Sequence, residues 1–255
     1  MTGKALFELC VEGLEAARVA DRMGASRIEL CTRLDLGGLT PPVELTRAVV
    51  AAVGLPVFVL IRPRGGDFVY TNEEFTLMRR QIEECKAAGA AGVVLGVLLP
   101  DGRIDVPRSR ELVELARPMQ VTYNRAFDHA PDLGSALEDV IATGSEFLLT
   151  SGGEANVLAG ASTLKRLHRR AGERLRLIAG GGLKLANLTE VFASTELDAF
   201  HGSLKRNSVA SHRPAEVVDH APGMLTAELN PAETAALEED LAKAISRVNQ
   251  YFAGQ

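Results

Sequence analysis

The sequence predicts a closed (β/α)8 barrel, and three observations carry that prediction. Eight short apolar runs, at 5–11, 27–31, 57–62, 92–97, 121–125, 146–150, 176–180 and 198–201, recur along the chain with helical patterns between them. Strand alternating with helix argues for a parallel sheet. Eight such units in 255 residues, with no linker or composition break, are the content of one single-domain barrel spanning 1–255. The functional face of such a barrel lies at the C-terminal ends of its strands, so the residues that end each run matter most.

The elements follow in order. Helix one comes after Gly13, with Ala16, Val19, Ala20 and Met23 at helical spacing and Gly24 placed to end it. Helix two covers about 43–53 and stops at Gly54. Helix three opens on a capping box, Thr71 with Glu74, turns Phe75, Met78, Ile82 and Cys85 inward, and ends at Gly89. Helix four carries Leu112, Leu115 and Met119; helix five Leu133, Leu137, Val140 and Ile141; helix six Leu164, Leu167 and Ala171. Helix seven is short, at about 187–193. An irregular segment at about 203–229 delays the last helix, and a loop of that length is a lid, a contact surface or disordered chain. The last helix covers about 231–253, with Pro231 in its first turn, Glu233 three residues after Asn230, and an apolar stripe of Leu237, Leu241, Ile245, Val248 and Phe252.

Composition excludes several function classes. A net charge of −5 gives no electrostatic case for nucleic acid or an anionic membrane. No apolar stretch approaches the ~20 residues of a membrane span. The chain runs directly into its first strand, so no signal peptide is visible. Three scattered cysteines make no disulfide framework. These features indicate a cytoplasmic protein with reduced thiols.

The chemistry lies at the strand ends. Strands one and two share a tripeptide, Glu8-Leu9-Cys10 and Glu29-Leu30-Cys31. Residues two apart on a strand face the same side, so the leucines pack outward and Glu8, Cys10, Glu29 and Cys31 turn into the barrel. Buried carboxylates require a cationic partner. The two cysteines are either small core fillers or a functional pair. Strand three runs into Arg62-Pro63-Arg64-Gly65-Gly66-Asp67, and its arginines either pair Glu8 and Glu29, bind an anion, or join Asp67 in a structural ion-pair network. Strand five ends with Arg125 and Asp128, strand six with Ser151, strand seven with Gly180-Gly181-Gly182, and strand eight with His201-Gly202-Ser203. Glycine turns after strands seven and eight are suited to holding a phosphate on backbone N–H groups and the N-terminus of a short helix. His201 alone among the five histidines falls at a strand end.

These residues resemble the copper homeostasis protein CutC family from residue 5 to about 203. The matching stretches are 27–31, Gly37-Gly38-Leu39-Thr40-Pro41, 61–70, Asp101-Gly102-Arg103-Ile104-Asp105, 125–128, 149–153, 180–182 and His201-Gly202-Ser203. The resemblance implies a TIM barrel, a cytoplasmic homo-oligomer and a part in copper handling. It places the family's proposed Cu(I)-binding cysteines on Cys10 and Cys31. The chain departs from the family at Asn124, where His is usual, at Leu60, where Met is usual, and at Pro42, where Ser is usual.

Two functions follow from these residues. The first is copper(I) binding at Cys10 and Cys31, since thiolates suit Cu(I); near-linear coordination requires sulfurs about 4–5 Å apart, from metal–sulfur bonds near ~2.3 Å. The second is an enzyme or sensor for a small phosphorylated or carboxylate metabolite, because the polar rim is richer than two thiols need. There Arg62, Arg64, Arg125, Ser151, Gly181, Gly182 and Ser203 bind the anion, and Glu8, Glu29, Asp67, Asp128 and His201 supply acid–base chemistry.

Overall fold

The structure is a computed structural model that describes residues 5–204 and 229–253. Its core is a closed ring of eight parallel strands in sequence order: β1 (Leu6–Val11), β2 (Arg27–Leu30), β3 (Val57–Leu60), β4 (Gly92–Leu95), β5 (Gln120–Tyr123), β6 (Phe147–Thr150), β7 (Arg176–Ala179) and β8 (Ala199–Gly202). Eight helices alternate with them: α1 (Leu14–Met23), α2 (Val43–Ala52), α3 (Asn72–Ala87), α4 (Val106–Ala116), α5 (Leu133–Thr143), α6 (Ala161–Ala171), α7 (Leu188–Thr195) and α8 (Pro231–Ala253). The TIM-barrel expectation therefore holds. No helix among the described residues is long and apolar enough to cross a membrane.

Local chemistry sets the helix ends. Gly24 takes a left-handed conformation and closes α1 with a bond to the Ala20 carbonyl. Thr71 and Glu74 form both halves of the capping box that starts α3. Helix α4 ends at Ala116, so Met119 belongs to the buried turn before β5 and not to the helix face. The expected irregular segment lies outside the described residues from 205 to 228, and with it the place of a short helix after β8.

Two apolar layers result from the period-two alternation of the strands. Leu9, Leu30, Val59, Val93, Leu95 and Leu148 face outward and pack under the helices. Leu6, Cys10, Cys31, Phe58, Leu60, Val94, Phe147, Leu149 and Ile178 fill the barrel interior. Gly92 is required there, because a Cβ at this position would sit 2.3 Å from the Phe58 ring. Helix α8 returns to complete the outer ring, burying Leu241, Ala244 and Val248 and joining Phe192, Phe200, Tyr251 and Phe252 in an aromatic cluster.

Candidate functional site

Strand register builds the floor of the site. Glu8 is the Cα partner of Arg27 on β2 and of His201 on β8, so it sits between a guanidinium and an imidazole at one level of the barrel. Arg27 Nε donates to Glu8 Oε2 at 2.5 Å, and His201 Nδ1 lies 2.7 Å from Glu8 Oε1. Arg27 is itself held over the Phe58 and Phe147 rings, 3.9 and 4.2 Å from their centroids, and donates to Thr122. Burial opposes the ionisation of Glu8, but Arg27 and His201 outweigh it and hold the carboxyl below its usual range.

Two register positions nearer the mouth, Cys10 is the Cα partner of Glu29. The Cys10 and Cys31 sulfurs lie 3.6 Å apart, and the Cys10 thiol donates to Glu29 Oε1 at 3.7 Å. The contact with Cys31, then burial, then the nearby carboxylates push the Cys10 thiol well above its usual pKa. Burial also raises Glu29, with Glu8 adding to the effect. Burial alone would lower His201, yet the fields of Glu29 and Glu8 raise it. The ligand atoms of Cys10, Glu29 and His201 all lie within 4.8 Å of one another.

Above this floor the barrel opens into a cavity of about 380 Å³. Of the residues singled out from the sequence, Cys10, Glu29, Arg62, Arg125, Gly181, Gly182, His201 and Ser203 line it. Cys31 is fully buried behind Cys10, and Glu8 is sealed beneath the floor. Leu60 and Asn124, two of the three positions that depart from the family pattern, line the same cavity.

Several expectations need correction. Neither Arg62 nor Arg64 partners Glu8 or Glu29; Arg27 partners Glu8. Arg62 instead donates to the carbonyls of Leu36, Gly38 and Gly66, tying two rim loops together. Arg64 pairs with Asp67 and Glu74 away from the cavity, which is the structural ion-pair network left open by the sequence. Asp128 and Ser151 also stand behind the cavity wall. Asp128 accepts from Thr150 Oγ1 at 2.5 Å, from the backbone N–H groups of Ser151 and Gly153, and from Arg125 Nε at 2.8 Å. Ser151 Oγ accepts from Arg125 Nη2 at 2.9 Å. Both residues therefore fold the loop after β6 and aim Arg125.

Arg27 and Lys184 escaped the sequence reading. Arg27 had a legible signal, since it precedes Glu29 by two residues and so shares its inward face. Lys184 lines the cavity from the turn after the glycine run, and nothing in the local pattern distinguishes it from a surface lysine.

Comparison with known proteins places this geometry in a family context. The CutC family profile matches residues 5–206. A family protein CutC of Chromobacterium violaceum is 40% identical over 245 residues, which cover 94% of this chain and 99% of that protein. A copper homeostasis protein cutC homolog of Homo sapiens is 42% identical over 200 residues, covering 78% of this chain and 73% of that protein. Among solved structures, CutC from Streptococcus agalactiae aligns with a TM-score of 0.74 at 28% identity, over 79% of this chain and 100% of that one. An N-(5'-phosphoribosyl)anthranilate isomerase from Pyrococcus furiosus, at 14% identity and a TM-score of 0.55 over 95% of this chain and 99% of that one, shares the fold alone.

Proposed function

The chain belongs to the CutC family, and we propose that it serves copper homeostasis by holding a copper(I) ion at the barrel mouth through Cys10 and Cys31. The observation that carries this reading is the 3.6 Å approach of the two sulfurs on the interior face of neighbouring strands. Soft thiolates are the ligand class that selects Cu(I). The sulfurs lie closer together than the about 4–5 Å of linear two-coordination, so the arrangement fits an ion with a third ligand. His201 is the better third ligand, because Glu29 offers hard oxygens. Ionised Glu8 accepts from Nδ1 of His201, which holds the proton there and leaves Nε2 free to ligate, as carboxylates do beside metal-binding histidines. With Asn124 and Leu60 in place of the family's usual His and Met, the mouth relies on Cys10, Cys31 and His201 for soft or borderline donors.

Titration of metal-free protein with Cu(I) against a competing chelator tests the reading. One ion per chain is expected, and Cys10→Ser with Cys31→Ser abolishes it. Retention of one ion by that double variant overturns the assignment. Because the Cys10 thiol is held well above its usual pKa, uptake of the ion displaces its proton and acidifies an unbuffered solution. The same reading takes the chain as a cytoplasmic homo-oligomer, which sedimentation velocity and cell fractionation check.

A further inference from the structure

The thiol pair accounts for the floor of the mouth and leaves its walls unexplained. A cavity of about 380 Å³ is far larger than one metal ion needs and falls in the range of small-molecule sites. The overall charge of the chain is −5, yet the charged side chains on the walls are the cations Arg62, Arg125 and Lys184, and Glu29 at the floor is the one carboxylate in the lining among the described residues.

Each cation keeps capacity for a ligand. The Arg62 guanidinium is buried, at 6% exposure, and meets three backbone carbonyls but no carboxylate among the described residues; its Nε has no acceptor. A buried charge without a counter-charge is costly to hold, and an anion in the cavity supplies one. Arg125 is clamped at Nε by Asp128 and at Nη2 by Ser151, which leaves Nη1 without a partner among the described residues. Gly181 keeps that guanidinium accessible. Its φ is +101°, and a Cβ there would stand 2.9 Å from Arg125 Cζ. Lys184 is exposed at the same wall and forms no ion pair among the described residues. At the floor, Glu29 is 5% exposed and its Oε2 has no hydrogen-bond partner. Buried polar atoms of this kind are rare unless a ligand or water completes them.

We propose that the mouth carries an anion-binding subsite in which Arg62, Arg125, Lys184 and the Gly181–Gly182 turn take the phosphate or carboxylate group of a small hydroxylated metabolite, whose hydroxyl end meets the Glu29 carboxyl. The subsite's cations lie apart from the thiol pair, which it adjoins at Glu29, and it stands whether or not copper binds there.

Isothermal titration calorimetry on the metal-free full chain tests it, with inorganic phosphate, malonate, glycerol 3-phosphate and glycerol as probes. Saturable binding of phosphate or malonate is expected, and whichever binds more tightly identifies the anion class. Arg125→Gln and Lys184→Ala each weaken that binding at least about 10-fold, the loss of one charge-assisted contact. Lys184 is exposed, so its variant retains the fold even if Arg125→Gln disturbs the loop after β6. Glycerol 3-phosphate binds more tightly than inorganic phosphate, and that gain disappears in Glu29→Ala. Failure of both anions to saturate, or affinities unmoved by both cation variants, overturns the subsite. Persistence of the gain in Glu29→Ala overturns the assignment of the hydroxyl end. Copper titration reads the thiol pair independently, so failure of one site is distinguishable from failure of the other.

Discussion

Two copies of one tripeptide, Glu-Leu-Cys, lie side by side in β1 and β2 and reach opposite electrostatic ends. Glu8 receives Arg27 and His201 and is held ionised in full burial. Glu29 receives only the Cys10 thiol, keeps one oxygen without a partner, and is pushed toward its neutral form by burial. The residue types and the alternation are the same in both strands. The difference comes from register: β2 is shifted against β1 so that Arg27, and not Glu29, stands opposite Glu8. Glu8 therefore belongs to a layer of paired charges inside the barrel, and Glu29 to the layer that lines the cavity.

The largest effect expected from this contrast is on stability. Arg27→Met leaves Glu8 buried without its main counter-charge and lowers the unfolding free energy by about 3–5 kcal/mol, the usual result of breaking a buried ion pair. Glu29→Gln costs only about 1 kcal/mol at neutral pH, because the wild-type carboxyl forms no salt bridge among the described residues and loses only the fields of His201 and Arg27. Urea unfolding of the two variants compares them directly. Equal losses would erase the distinction between the layers.

The pH dependence of metal-free protein sharpens the same contrast. Glu8 titrates below its ordinary value of 4.5 in the folded state, so its contribution is present above pH 4.5 and is lost as pH falls through the folded pKa. Glu8→Gln removes that part of the acid limb. Glu29 is raised, so the folded state binds more protons and stability drains as pH rises from 4.5 through its folded pKa. Glu29→Gln then gains on the wild type with rising pH. Chemical denaturation at a series of pH values reads both slopes, and slopes of the same sign contradict the account.

A smaller effect belongs to the surface. Arg170 and Arg174 hold the Glu138 carboxyl down to about 2, so its contribution is present above pH 4.5 and fades as pH falls toward that value. The group is solvent-exposed and screened, so Glu138→Gln shifts the thermal midpoint only slightly, and added salt abolishes the shift.

Much of this was legible in the residues themselves. The eight strands, the capping box at Thr71 and the inward turn of Glu8, Cys10, Glu29 and Cys31 follow from local periodicity and cap chemistry, which one segment encodes alone. The pairing of Glu8 with Arg27 does not, because it depends on how two strands slide against each other. Arg62 and Arg64 are the conspicuous cations at the mouth, yet Arg64 is consumed by Asp67 and Glu74, and Arg62 ties two rim loops through their carbonyls while still lining the cavity. Asp128 and Ser151 look like site residues from their place after strands, yet the chain folds them behind Arg125. Lys184 lines the cavity beside Gly181 and Gly182, which take positive φ, and that placement is tertiary and leaves no local pattern.

The most direct test of the central claim, that the two interior thiols hold copper(I), is X-ray absorption at the copper edge of the Cu(I)-loaded protein. The account predicts two sulfur scatterers near ~2.3 Å joined by one imidazole. A first shell made only of nitrogen and oxygen would contradict it.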